Sequence, residues 1–129
     1  MKYLEAQEIL ILHSEIIDQT SGMHGVRDIG LFLSILEKPK SKFSSKELYK
    51  GIFQKAAVYL ESIVQYHVFL DGNKRTAAIS SARFLYLNGY ELVATNRELE
   101  NFVIQVAIEK LDLKIISVWL KGHTRKIRS

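Results

Sequence analysis

Residues 67–75 read HVFLDGNKR. The stretch sets a histidine, an acid, an Asp-Gly turn and two adjacent cations side by side, directly before a run from Thr76 to Leu87 with the composition of a helix. Helices normally open with acids, because the first turn exposes unpaired N–H groups and the positive end of the macrodipole. Opening with Lys74 and Arg75 instead costs about 0.3–1 kcal/mol per cation. Most of the stretch needs no special account. Asp71-Gly72 is an ordinary turn dipeptide, Asn73 is a favoured N-cap, His67 suits a helix C-terminus, and Val68, Phe69 and Leu70 can anchor the loop in a core. The two cations are left over.

An anion at the helix start reverses the penalty. A glycine-containing loop entering a helix presents free backbone N–H groups, and Gly72, Asn73, Lys74 and Arg75 together have the makings of a polyphosphate cradle. Asp71 fits beside phosphates as a ligand for Mg²⁺, which needs only one or two protein carboxylates. His67 suits a general base that takes the proton of an attacking hydroxyl. Base, metal ligand and anion cradle are the parts that phosphoryl or nucleotidyl transfer requires. On spacing alone, a plain turn remains open beside this reading. A zinc site is disfavoured, since His67 and Asp71 are two ligands and His13, His24 and His123 have no ligand spacing. A serine hydrolase is weaker still, because Ser80 and Ser81 fall inside the expected helix.

Outward from the loop, helical periodicity dominates. Leu4, Ile9, Leu12, Ile16 and Ile17 mark a first helix over about residues 3–20, ended near Gly22. Asp28 opens a short helix with Leu31, Leu33, Ile35 and Leu36 as its apolar positions, stopped by Pro39. Ser44 and Glu47 have capping-box spacing, which predicts a long helix from Ser45 to about Tyr66 with Ile52, Ala56, Tyr59, Leu60, Ile63 and Val64 inward. The motif helix is rich in small residues in its first half, so it is expected to be central, and Asn88-Gly89 stops it. Leu92 and Val93 lie in a brief extended stretch. Thr95 and Glu98 cap a helix to about Lys110 with Phe102, Val103, Val106 and Ala107 inward, and Asp112 caps a last one ending near Lys121. The expectation is an all-α, single-domain bundle of about six helices over residues 1–129, with a strand pair allowed.

Bulk composition agrees. The 129 residues are 47% hydrophobic, enough for one core. No run is long and apolar enough for a membrane span, and Lys2, Glu5 and Glu8 interrupt any secretory apolar region, so the expected location is the cytoplasm. With no cysteine, disulfides, zinc–thiolate sites and thiol catalysis are excluded. The net charge of +4 is concentrated partly in the ending KGHTRKIRS, read as a mobile basic tail over 121–129. Direct nucleic-acid binding is not expected from so short a run.

The motif resembles the signature of the Fic/Doc superfamily, H-P-F-x-(D/E)-G-N-G-R followed by a helix. His67, Phe69, Asp71, Gly72, Asn73 and Arg75 match it. Val68 stands in place of the proline, and Lys74 replaces the second glycine, which is the mark of the death-on-curing (Doc) branch. HGVRDIGLFLSILEKP, KAAVYLESIVQYH and FLYLNGYEL are also similar to the death-on-curing pattern, so the resemblance covers about residues 1–120.

The resemblance implies an all-α fold with the motif loop before a central helix. It implies His67 as catalytic base, Asp71 as Mg²⁺ ligand, Gly72, Asn73, Lys74 and Arg75 as ATP phosphate ligands, and Phe69 as the structural anchor. In the Doc branch the lysine goes with ATP bound in reverse, so that the γ-phosphate is presented. The implied activity is that of a toxin phosphorylating a protein hydroxyl, with elongation factor Tu as the expected target and arrested translation as the result. The segment from Ser21 to Phe43 is expected to be a flap for the protein substrate. Self-restraining relatives carry (S/T)-x-x-x-E-(G/N); the nearest match here, NRELEN at 96–101, lacks its first residue, so an antitoxin in trans is expected. Two alternatives stand: an adenylyl or other nucleotidyl transferase using the same residues, and a non-catalytic binding module.

Overall fold

Capping side chains set three of the helix starts. The structure, a computed structural model, describes residues 1–128, and Ser129 of the expected tail lies outside the described residues. Among the described residues are six α-helices: α1 (Ala6–Thr20), α2 (Ile29–Glu37), α3 (Gly51–Tyr66), α4 (Asn73–Leu87), α5 (Asn96–Glu109) and α6 (Leu113–Gly122). The fold is all-α, as expected. Asp28 accepts the Leu31 N–H at 3.0 Å and Asp112 the Ile115 N–H at 3.0 Å. Thr95 and Glu98 close a reciprocal capping box, with Glu98 N–H donating to Thr95 Oγ1 at 3.1 Å and Thr95 N–H to Glu98 Oε1 at 3.0 Å. Each satisfies an N–H that the helix itself leaves unpaired, worth ~1 kcal/mol.

The core is organised around α3, whose residues 55–60 are all buried. Its most extensive partner is α4, and α6 lies against it as well. The buried residues of these neighbours include Ala56, Ala57 and Ser62 on α3 and Ala77, Ser80 and Ser81 on α4. Such small side chains let two backbones approach closely. Tyr59 is fully buried and its hydroxyl accepts the Leu4 N–H at 3.1 Å, tying the N-terminus to the core; burial pushes its pKa up to about 12. Phe102 on α5 stacks on Trp119 of α6, ring centroids 4.1 Å apart.

Three sequence expectations differ from the structure. The Ser44–Glu47 capping box does not form, because both serines adopt the left-handed conformation (φ 51° and 66°) and turn a short hairpin between β1 (Lys42–Phe43) and β2 (Lys46–Glu47). Glu47 instead meets the fully buried Lys55, 3.2 Å from its Nζ, which also donates to the Pro39 carbonyl at 2.9 Å. Helix α3 therefore starts at Gly51. In α2 the core takes Phe32 and Ile35 and leaves Leu33 exposed at 52%. The expected mobile tail over 121–129 instead takes in the end of α6 and then β4 (Thr124–Lys126), which pairs antiparallel with β3 (Tyr90–Leu92). Its backbone groups fill the hydrogen-bonding edge that the brief extended stretch offers, and Arg125 Nε meets Glu91 Oε1 at 2.6 Å across the pair.

Candidate active site

The motif lies at the junction of α3 and α4. Helix α3 ends on His67, its C-cap, in the left-handed conformation at φ 49°. Histidine tolerates that region better than most residues, but it still costs energy and needs surrounding contacts to hold it. The His67 side chain is exposed. Five residues later the chain turns through Gly72 at φ 76° and enters α4. A Cβ on Gly72 would stand 3.0 Å from Ile17 Cδ1, so a side chain is opposed by both conformation and space.

The loop between them is held from three directions. Val68 and Phe69 are buried, and the Phe69 ring stacks on His13 of α1 at 3.8 Å and meets Phe32 edge-on at 5.7 Å. His13 Nε2 lies 2.8 Å from the Asp71 carbonyl. A carbonyl only accepts, so Nε2 carries the hydrogen. Burial, partly offset by this bond, lowers the His13 pKa and keeps the ring neutral. From the second direction, residues 25–28 run antiparallel to the motif: Arg27 N–H donates to the Val68 carbonyl at 2.6 Å, and Leu70 N–H to the Gly25 carbonyl at 3.1 Å. The third is internal, with Asn73 Oδ1 accepting the Phe69 N–H and Asn73 Nδ2 donating to the Phe69 carbonyl, both at 3.0 Å.

Asn73 thus differs from its expected place. The N-cap is Gly72, and Asn73 is the first residue of α4, its amide spent on Phe69. Toward an anion it offers only its backbone N–H. Asp71 is exposed, and its Oδ2 accepts the Met23 N–H at 2.9 Å. That bond orients the carboxylate and leaves its other oxygen without a protein partner among the described residues. Lys74 and Arg75 are exposed and, among the described residues, form no ion pair.

His67, Asp71, Gly72, Asn73, Lys74 and Arg75 line one cleft of about 490 Å³. Ile16, Ile17 and Thr20 of α1, Val64 of α3 and Ala107 of α5 form its other walls. Phe69, buried behind the loop, does not line it. One wall is a helix N-terminus with two cations that no acid among the described residues pairs with, so the cleft suits a polyanion. No group of three or more His, Cys, Asp or Glu side chains able to hold a metal occurs among the described residues. A lone carboxylate fits Mg²⁺ shared with phosphates and does not fit a protein-caged zinc.

Two contributors escaped the sequence reading. His13 lies 58 residues from the carbonyl it holds, and Arg27 about 40 from its partners. Neither spacing carries a local signal. In hindsight His13 sits on the apolar face of α1, between Ile9 and Ile16, where a polar residue calls for a buried partner.

A histidine closing one helix, an anion-receptive turn opening the next and an acid between them define a class, and the chain belongs to it: residues 3–85 match the Fic/DOC family. It is similar to a protein named Toxin Doc of Mycolicibacterium smegmatis, 32% identical over 123 residues that cover 94% of this chain and 92% of that protein. It is also similar to Protein kinase doc of Escherichia phage P1, 27% identical over 121 residues that cover 94% of each.

Proposed function

We propose that the protein is the toxin of a toxin–antitoxin pair and transfers the γ-phosphate of ATP to a hydroxyl side chain of a target protein, elongation factor Tu, so arresting translation. The observation that carries this reading is the helix start bearing Lys74 and Arg75 without an acid partner among the described residues, in a cleft shared with His67 and Asp71. The names of the two relatives, a toxin and a protein kinase, point the same way.

In this mechanism the phosphates lie against the α4 N-terminus. The N–H groups there, Lys74 and Arg75 neutralise charge that grows on the equatorial and leaving oxygens. His67 takes the proton of the target hydroxyl as its oxygen bonds to the γ-phosphorus, and the bond to the β–γ bridging oxygen breaks, releasing ADP. Asp71 is the residue that would hold Mg²⁺, which neutralises phosphate charge. Restraint in trans by an antitoxin is supported by the absence, among the described residues, of any acid paired to Lys74 or Arg75. A folded protein that left growing cells unharmed would end this part of the reading.

The test is paired labelling of bacterial lysate with purified protein, Mg²⁺ and ATP labelled at the γ- or the α-phosphate. Label from the γ-position alone, reduced about 10²–10⁴-fold by His67→Ala, is expected. Label from the α-position would make the protein a nucleotidyl transferase, with Lys74 failing to turn the nucleotide round. A cellular effect that survives His67→Ala would make it a binding module.

A further inference from the structure

The His67 imidazole has no hydrogen-bond partner among the described residues, although its backbone is firmly held. A base is usually oriented through the far side of its ring by a third group. Here no such group is present, so the ring's location follows from where the chain places its Cα. That placement is a left-handed C-cap, which persists only where neighbouring contacts over-determine it.

One residue supplies the contacts on every side. Arg27 Nε donates to the His67 carbonyl at 2.6 Å, its Nη2 to the Tyr66 carbonyl at 3.1 Å, and its backbone N–H to the Val68 carbonyl at 2.6 Å. Three consecutive carbonyls, centred on the base, thus end on a single residue. The first two belong to the end of α3, where helix carbonyls lack internal partners and the macrodipole favours a cation. The guanidinium fork reaches both at once, which the point charge of a lysine does not do. Arg27 is itself exposed, so this is not a core contact whose loss would unfold the chain.

Resting on the proposed phosphotransfer, we infer that Arg27 is the positioning residue of His67, clamping the end of α3 so that the base faces the cleft. Its segment, which runs antiparallel to the motif, therefore acts on the base. Arg27 touches no phosphate in this role, and its loss lowers turnover without weakening ATP.

The experiment compares Arg27→Ala, Arg27→Lys and, as a control, Arg83→Ala, an exposed arginine paired to Glu8 away from the cleft. Expected for Arg27→Ala is a fall in kcat of roughly ten- to a hundredfold, the cost of a base displaced by up to about 1 Å, with KM for ATP within about twofold. Arg27→Lys restores part of the loss, as does added methylguanidine with Arg27→Ala, while Arg83→Ala changes nothing. A raised KM for ATP at unchanged kcat would make Arg27 a nucleotide ligand and overturn the inference. A second arm needs no activity: the His67 backbone amide and ring resonances, read by NMR in the ligand-free protein, shift in Arg27→Ala and not in Arg83→Ala. Resonances that stay in place would sink the clamp even if phosphotransfer is found. If no γ-phosphate is transferred but the resonances shift, the functional proposal fails and the clamp stands.

Discussion

Replacing His13 by phenylalanine separates the two things this residue does. The stack on Phe69 at 3.8 Å is open to either ring, but phenylalanine gives the Asp71 carbonyl no donor. The bond is part-buried, so water replaces the lost donor only incompletely. An acceptor left unsatisfied in such a place costs about 1–3 kcal/mol, which for a chain of this size corresponds to a fall in Tm of roughly 3–5 °C per kcal/mol. The pH dependence gives a second, sharper readout. The folded-state pKa of His13 is lowered from 6.5, chiefly by burial. Above 6.5 the ring is neutral in both folded and unfolded chains, and its stabilisation is complete. As pH falls from 6.5 toward the lowered value, the unfolded chain takes up a proton that the folded chain resists, and stability is lost. His13→Phe lacks this loss. Urea unfolding of both at about pH 8 and about pH 5 therefore shows a gap that narrows on acidification. A gap of the same size at both pH values would refute the buried, neutral, donating histidine.

Three further outcomes are expected. Asp71→Asn keeps an oxygen to accept the Met23 N–H, so stability stays within ~0.5 kcal/mol while Mg²⁺-dependent transfer is lost; retained transfer at unchanged Mg²⁺ demand would remove Asp71 from the metal. Gly72→Ala forces a Cβ against Ile17 and into positive φ, a loss of about 1–3 kcal/mol in urea unfolding, and a neutral result would mean that the loop relaxes freely. The Ser80 hydroxyl is buried with no hydrogen-bond partner among the described residues, so Ser80→Ala is expected to be neutral or stabilising by up to ~1 kcal/mol. A destabilisation of that size would reveal a partner for the hydroxyl.

What was legible in the sequence was local. Asp28, Thr95 with Glu98, and Asp112 each bond an N–H three residues on, so a short window contains the whole signal. The same window misled at Ser44 and Glu47, where a buried lysine eight residues further along competes for the glutamate and two left-handed serines turn the chain back. The motif residues were found together because they are contiguous from His67 to Arg75. Their supports were not, since His13, Met23 and Arg27 reach the loop only after the chain has folded. Asn73 shows the limit most clearly: its type fits both a cap and a phosphate ligand, and only the reciprocal bonds to Phe69 show where its amide is held.

The close packing of α3 against α4 has a consequence far from itself. His67 ends one of these helices, and Lys74 and Arg75 begin the other, so the gap between base and cations is a reading of how closely two rods lie together. Ala77, one turn past Lys74 on α4, is fully buried. A larger side chain at that position must displace what surrounds it at the start of α4, and so disturbs the cleft without altering one residue that faces it.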